Sequence, residues 1–176
     1  MSISVEFGQS EDSRRWIDLL GLDKNGDLVV IELTRSEDGG HMELQASRCA
    51  AMVSRMTFEQ AVSARSHFQK QNEIEGDAEQ AILTFLEWEE PDETAFAQNA
   101  RIVLVSADFS EELTTSVNWL NAQDVDVTCV RLRPYALDGR VLMDVKQVIP
   151  LPEAAEYQVQ ITEKAQRERK SQKSST

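Results

Sequence analysis

Two six-residue runs rich in branched and apolar side chains, Ile-Asp-Leu-Leu-Gly-Leu at 17–22 and Leu-Val-Val-Ile-Glu-Leu at 28–33, flank Asp23-Lys24-Asn25-Gly26-Asp27. Such runs around a short Asn-Gly loop specify an antiparallel β-hairpin. If Lys24-Asn25-Gly26 is a three-residue loop with Gly26 left-handed, Asp23 pairs with Asp27 and facing residue numbers add to 50. Asp18 then lies opposite Glu32, with Cβ atoms about 5 Å apart on one face of the sheet. Thr34, two residues beyond Glu32, points the same way. Leu20 and Val30 adjoin the acids, while Ile17, Leu19, Val29, Ile31 and Leu33 form the opposite face. Both faces are expected to be buried.

Two facing carboxylates in an apolar sheet repel, and burying them ionised and unpaired costs several kcal/mol. A divalent cation removes that cost. Oxygen ligands suit Mg²⁺ or Mn²⁺, which take one or two carboxylates and complete their shell with water and phosphate. Neutralisation by Arg14, Arg15 or Arg48 is the alternative, as is a slipped register that sends the acids to opposite faces.

The rest of the chain reads as one α/β domain over 1–154 and a polar tail over 155–176. Residues 1–7 form a strand, and small or apolar residues recur at helical spacing over 42–53 after Gly39-Gly40. Thr57 and Gln60 form a capping box for a helix over 58–69, and a third helix covers 77–87, before Pro91. A strand over 101–106 precedes a helix capped by Ser110 and running to Asn121, with Glu111 and Glu112 in its first turn. Strands over 125–132 and 141–149 lie on either side of Asp138-Gly139, and Pro150 and Pro152 end the sheet.

A chain of 176 residues buries roughly 70% of its unfolded surface and needs no disulfides. Cys49 and Cys129 lie in apolar runs and read as buried thiols of a reducing, cytoplasmic compartment. With only His41 and His67, zinc-type sites and Ser-His-Asp hydrolases lack parts. No apolar run reaches the roughly 20 residues of a membrane span. The net charge of −13 is local: residues 73–93 hold nine acids and no base, the signature of a solvated acidic helix face. Net negative charge disfavours sequence-independent nucleic-acid binding, yet it leaves room for an enzyme that grips nucleic acid through a few arginines and a metal ion.

The segment Arg15-Trp-Ile-Asp18 through Asp27-Leu-Val-Val-Ile-Glu32-Leu-Thr34-Arg35 resembles the core motif of PD-(D/E)xK nucleases. It is most similar to a bacterial group related to the nuclease domain of NucS-type endonucleases. Residues 42–53, with Gln45 and Arg48, are similar to that group's next helix, and the similarity extends through 101–149. The resemblance implies a restriction-endonuclease-like fold, a mixed central sheet flanked by helices, with Asp18 and Glu32 as Mg²⁺ or Mn²⁺ ligands and Gln45 approaching the same site. The implied activity is hydrolysis of DNA phosphodiesters by water.

The chain departs from the pattern at three places. Thr34 stands where the motif's lysine would activate water and stabilise phosphate charge; Arg48, one turn from Gln45, is the displaced cation within reach. Cys49 replaces a common aromatic residue. A strand opens the chain where the group carries a helix with a site-facing glutamate, so the chain is a shortened form or another subunit supplies that helix; Glu6 compensates only if its strand lies beside the hairpin. The alternative function is a noncatalytic module of the same fold that binds nucleic acid or protein, and a homo-oligomer fits either. Other features have plainer readings: His41 as a helix-capping residue, Trp16, Trp88 and Trp119 as core or interface, Arg131 and Arg133 as a solvated strand face or phosphate contacts, and the basic tail as a solubilising extension.

Overall fold

The computed structural model describes residues 1–7, 17–34 and 42–151. Six strands, β1 (Ser2–Phe7), β2 (Ile17–Leu22), β3 (Leu28–Leu33), β4 (Ala100–Ser106), β5 (Val127–Leu137) and β6 (Arg140–Ile149), form one sheet in chain order. Four helices, α1 (Met42–Val53), α2 (Phe58–Gln71), α3 (Ala78–Leu86) and α4 (Glu111–Ala122), complete an α/β fold. The sheet is mixed: β1–β2–β3 is an antiparallel meander, β4 and β5 run parallel to β3, and β6 returns antiparallel. Among the described residues no helix is long and apolar enough to cross a membrane.

The hairpin has the register its loop dictates. Leu19 faces Ile31, Leu20 faces Val30 and Leu22 faces Leu28. The turn is held by the Asp23 carboxylate, which accepts the N–H groups of Asn25 at 2.8 Å and Asp27 at 3.1 Å. Gly26 has φ +85°, a left-handed conformation that glycine adopts at no steric cost. A Cβ there would also lie 3.2 Å from the ring of Trp88, which stacks on Phe58 in the core. The loop is thus pinned from both sides.

Helix ends follow the local chemistry. Thr57 and Gln60 make the reciprocal capping box of α2, and Asp77 and Ser110 cap α3 and α4. The acidic segment adds a contact that sequence spacing does not show: Glu93 reaches 35 residues back to accept the N–H of Phe58 at the start of α2. Strand β5 runs five residues past its expected end at 132, because Asp138 and Gly139 both take positive φ, the two-residue turn whose twist suits a long hairpin. Pro134 lies beyond the end of β4, where β5 has no second neighbour and the missing N–H breaks no ladder.

Most of the core lies on one side of the sheet. Ser4, Leu20, Leu22, Leu28, Val30, Glu32, Ile102, Leu104, Ser106 and Cys129 share a face through the strand pairings, and all are buried. Helix α1 covers this face over β3 and β4, and α4 meets α1 while lying against β5 and β6. Right-handed crossovers between parallel strands require this. The expectation that both faces are buried holds only in part: on the second face Ile17 and Val105 are buried, but Leu19, Val29 and Ile31 are partly exposed and Leu33 is 56% exposed. Alternation makes a strand apolar on both faces without specifying what covers the second.

The pinned loop yields the first prediction. Gly26→Ala should lower stability by about 1–3 kcal/mol, read as a reduced urea midpoint with unchanged slope.

Candidate functional site

Continuing the hairpin register one step from Leu19 and Ile31 places Asp18 opposite Glu32. Their carboxylates are close enough for the Asp18 charge to act on Glu32. Each is held by one oxygen: Asp18 Oδ2 accepts the backbone N–H of Leu33 at 2.6 Å, and Glu32 Oε2 accepts from Gln45 Nε2 at 2.8 Å. The second oxygen of Glu32, Oε1, is buried and receives no well-formed hydrogen bond, although the residue is only 2% exposed. An acceptor in that state costs on the order of 1–3 kcal/mol and needs an explanation. Gln45 reaches the acid because α1 crosses over the end of β3.

Electrostatics follow from this packing. The Glu32 carboxyl is raised to about 7, chiefly by burial and then by the Asp18 charge, while hydrogen bonds from Cys49 and Gln45 pull the other way. Near neutral pH Glu32 is therefore about half protonated. Cys129, on the same face one strand beyond Leu104, is pushed up to about 12 by burial, which makes it an inert core thiol.

Parallel pairing extends the site sideways. Glu32 neighbours Leu104 on β4, and two residues further on Ser106 neighbours Arg131 of β5, which faces Lys146 of β6. Thr34 follows β3 and donates its N–H to Val105 O at 2.9 Å, so it keeps the alternation that aims it to the Glu32 side. A polar row of Thr34, Ser106, Arg131 and Lys146 thus borders the acids at the carboxyl ends of the parallel strands, where open α/β sheets bind ligands. Ser106 is buried, and the Nε of Arg131 is buried without a hydrogen-bond partner.

The structure therefore brings Asp18, Glu32 and Gln45 together and sets Thr34 beside them. Arg48 is exposed on α1, and no hydrogen bond or ion pair joins it to either acid. Arg14, Arg15, Trp16, Arg35 and His41 lie outside the described residues, as does the side chain of Glu6, although β1 does pair with β2. Arg133 is tied to Asp108 at 2.6 Å and to Ala107 O at 3.0 Å, a structural anchor. Trp88 is packed on Phe58, and Trp119 is exposed on α4. Ser106 and the Cys49 thiol were missed by sequence reasoning: no local signal reports which residues of β4 flank β3, or which turn of α1 overlies Glu32.

Comparison with protein-family models, curated proteins and solved structures finds no significant match.

The raised Glu32 carboxyl sets a pH dependence. Its folded value of about 7 exceeds the ordinary 4.5, so between those values the folded chain holds more protons than the unfolded one. Stability then falls as pH rises through that window and stays lower above it. Glu32→Gln should be more stable than wild type at pH 8 by on the order of 2 kcal/mol and nearly equal at pH 4, as chemical denaturation at the two pH values would show.

Proposed function

We propose that the chain is a metal-dependent phosphodiesterase of the restriction-endonuclease-like type, with DNA as its substrate. The observation that carries the reading is the buried Glu32 carboxylate set opposite Asp18, with Oε1 lacking a close hydrogen-bond partner. Support also comes from the resemblance of residues 15–35 to the PD-(D/E)xK motif.

The donor set fits Mg²⁺ or Mn²⁺. Asp18 and Glu32 supply two hard oxygen ligands, the number such ions take from protein when water and phosphate fill the remainder. Among the described residues no group of three or more His, Cys, Asp or Glu side chains gathers as a metal cage; a two-carboxylate site of this kind does not need one. When bound, the ion would lower the pKa of water and offset charge on the phosphate.

The protein's own groups have separate tasks. Gln45 holds Oε2 of Glu32, and the Leu33 N–H orients Asp18 in the same manner. Arg131 and Lys146 supply positive charge on the row beside the acids. Such charge orients a phosphodiester and stabilises its developing oxyanion. Thr34 can accept from or donate to water but brings no charge, so Arg131 stands in for the motif's lysine in its electrostatic task. A guanidinium does not serve as the base, because its pKa exceeds 12.

Binding and cleavage are tested separately. Mn²⁺ at a hundredfold excess over its Kd should stabilise wild type by about 2.7 kcal/mol and leave Asp18→Asn unmoved. Because Glu32 must shed its proton, apparent affinity should rise about tenfold per pH unit below 7 and level off above it. An equal thermal shift in Asp18→Asn would place the ion elsewhere and defeat the reading. Plasmid nicking with Mg²⁺ should be abolished by Glu32→Gln and reduced roughly a hundredfold by Arg131→Ala, while Thr34→Lys should increase it. Metal binding at Asp18 and Glu32 without cleavage of DNA or RNA would instead identify a binding module.

A further inference from the structure

Strands β5 and β6 run on together past the end of β4, which stops at Ser106 beside Arg131. The resulting two-stranded ribbon extends beyond the acids in the direction of the parallel strands. Its charges are sorted. The two strands carry four basic side chains, Arg131, Arg133, Arg140 and Lys146, and one acidic, Asp144, in a chain whose net charge is −13. The pairing is regular from Arg131 with Lys146 to Leu137 with Arg140, so all five lie on the face that also holds Glu32 and none lies on the other. Asp108 takes Arg133, and among the described residues no carboxylate forms an ion pair with Arg131, Arg140 or Lys146. Between the inner and outer cations stands Tyr135, on the same face and 51% exposed.

We propose that the site face of this ribbon holds a single DNA strand, with Arg131 and Lys146 on the phosphate nearest the acids, Tyr135 stacked on an unpaired base and Arg140 on an outer phosphate. The inference rests on the nuclease reading for DNA as the substrate and names its form: single-stranded, or locally unpaired as in a supercoiled plasmid, rather than intact duplex. Cations that track a backbone beside an exposed aromatic ring are the elements from which single-strand sites are built. The Tyr135 ring needs the flat face of a base, which neighbouring bases cover in a duplex. Reading a duplex through base edges would instead need a row of hydrogen-bonding side chains; beyond Tyr135 the site face of the outer ribbon offers Leu137, Leu142 and Arg140 alone. Charge points the same way. Three unpaired cations on a chain of −13 can hold a few phosphates of one strand, whereas a duplex sets a second row of phosphates against the acidic body. Tyr135 lies four residues beyond Arg131 on the strand, about 13 Å away. That separation spans no more than about four nucleotides at the stacked spacing of one strand.

Fluorescence anisotropy of the full chain in EDTA, with a labelled DNA oligonucleotide either single or annealed to its complement, tests the ribbon without metal or cleavage. The single strand should bind at least tenfold more tightly than the duplex. Tyr135→Ala should weaken that binding by about tenfold, while Tyr135→Phe, which keeps the ring, and Val145→Thr, on the ribbon's other face, should stay within twofold of wild type. The dependence of log affinity on log salt should have a slope of about −2, the value for three phosphate contacts on a single strand, and Arg140→Gln should make it shallower by about 0.7. Duplex binding as tight as that of the single strand overturns the proposal, as does a Tyr135→Ala variant that binds like wild type or a chain that does not bind the single strand. Failure of the nuclease reading is distinguishable: a chain without the Mn²⁺ shift or nicking that still shows this binding loses the nuclease and keeps the ribbon, and the converse result does the reverse.

Discussion

The register of the β2–β3 hairpin is the constraint on which the rest depends. Asp23 closes the turn with its carboxylate, Gly26 supplies the one left-handed residue, and Trp88 blocks any side chain there. With the turn so fixed, alternation leaves Asp18 and Glu32 no choice but the same face. A slip of one residue would bury Leu19 and Ile31 under α1 and expose the acids. The hydrophobic pattern and the turn agree on a single answer, and that agreement is what allows a chain to bury charge without losing its fold.

Much of this was legible in the sequence because its determinants are local. The hairpin, the capping box at Thr57 and Gln60 and the Ser110 cap each depend on residues within a few positions of one another. What escaped depends on pairing between distant segments. Nothing near Arg131 says that its row borders Glu32; that follows from two parallel pairings through β4. Arg131 and Arg133 look equivalent as alternate residues of one strand, yet Asp108 claims the second and leaves the first facing Ser106. The same limit explains Arg48. Helical spacing puts it one turn from Gln45, but α1 is rotated so that Ala46, Cys49 and Ala50 enter the core and Arg48 faces outward. The error about the second sheet face has another source, since apolar alternation reports that a face will be dry without reporting what dries it.

The site also shows how a sheet can tolerate two acids. One oxygen of each is satisfied by the protein itself, through a main-chain N–H for Asp18 and a carboxamide for Glu32. The remaining cost is carried by a proton on Glu32, whose carboxyl lies near 7. A single proton thus keeps the pair tolerable until something of higher charge replaces it. Among the described residues no arginine is paired with either acid.

Most of the buried sheet side chains lie on the same side as the acids, which α1 and α4 cover, while Ile17 and Val105 are buried on the other. Adaptation therefore has unequal room on the two sides. Substitutions under the helices alter fold and chemistry together, so variants selected for altered chemistry would carry a folding defect with them. Compensating changes that leave the chemistry untouched have their freest ground on the far side of the sheet, where new packing can be added without disturbing Gln45 or Glu32. A lineage of this protein would be expected to record that asymmetry as slow divergence on one face of each strand and fast divergence on the other, a two-residue rhythm of substitution rate.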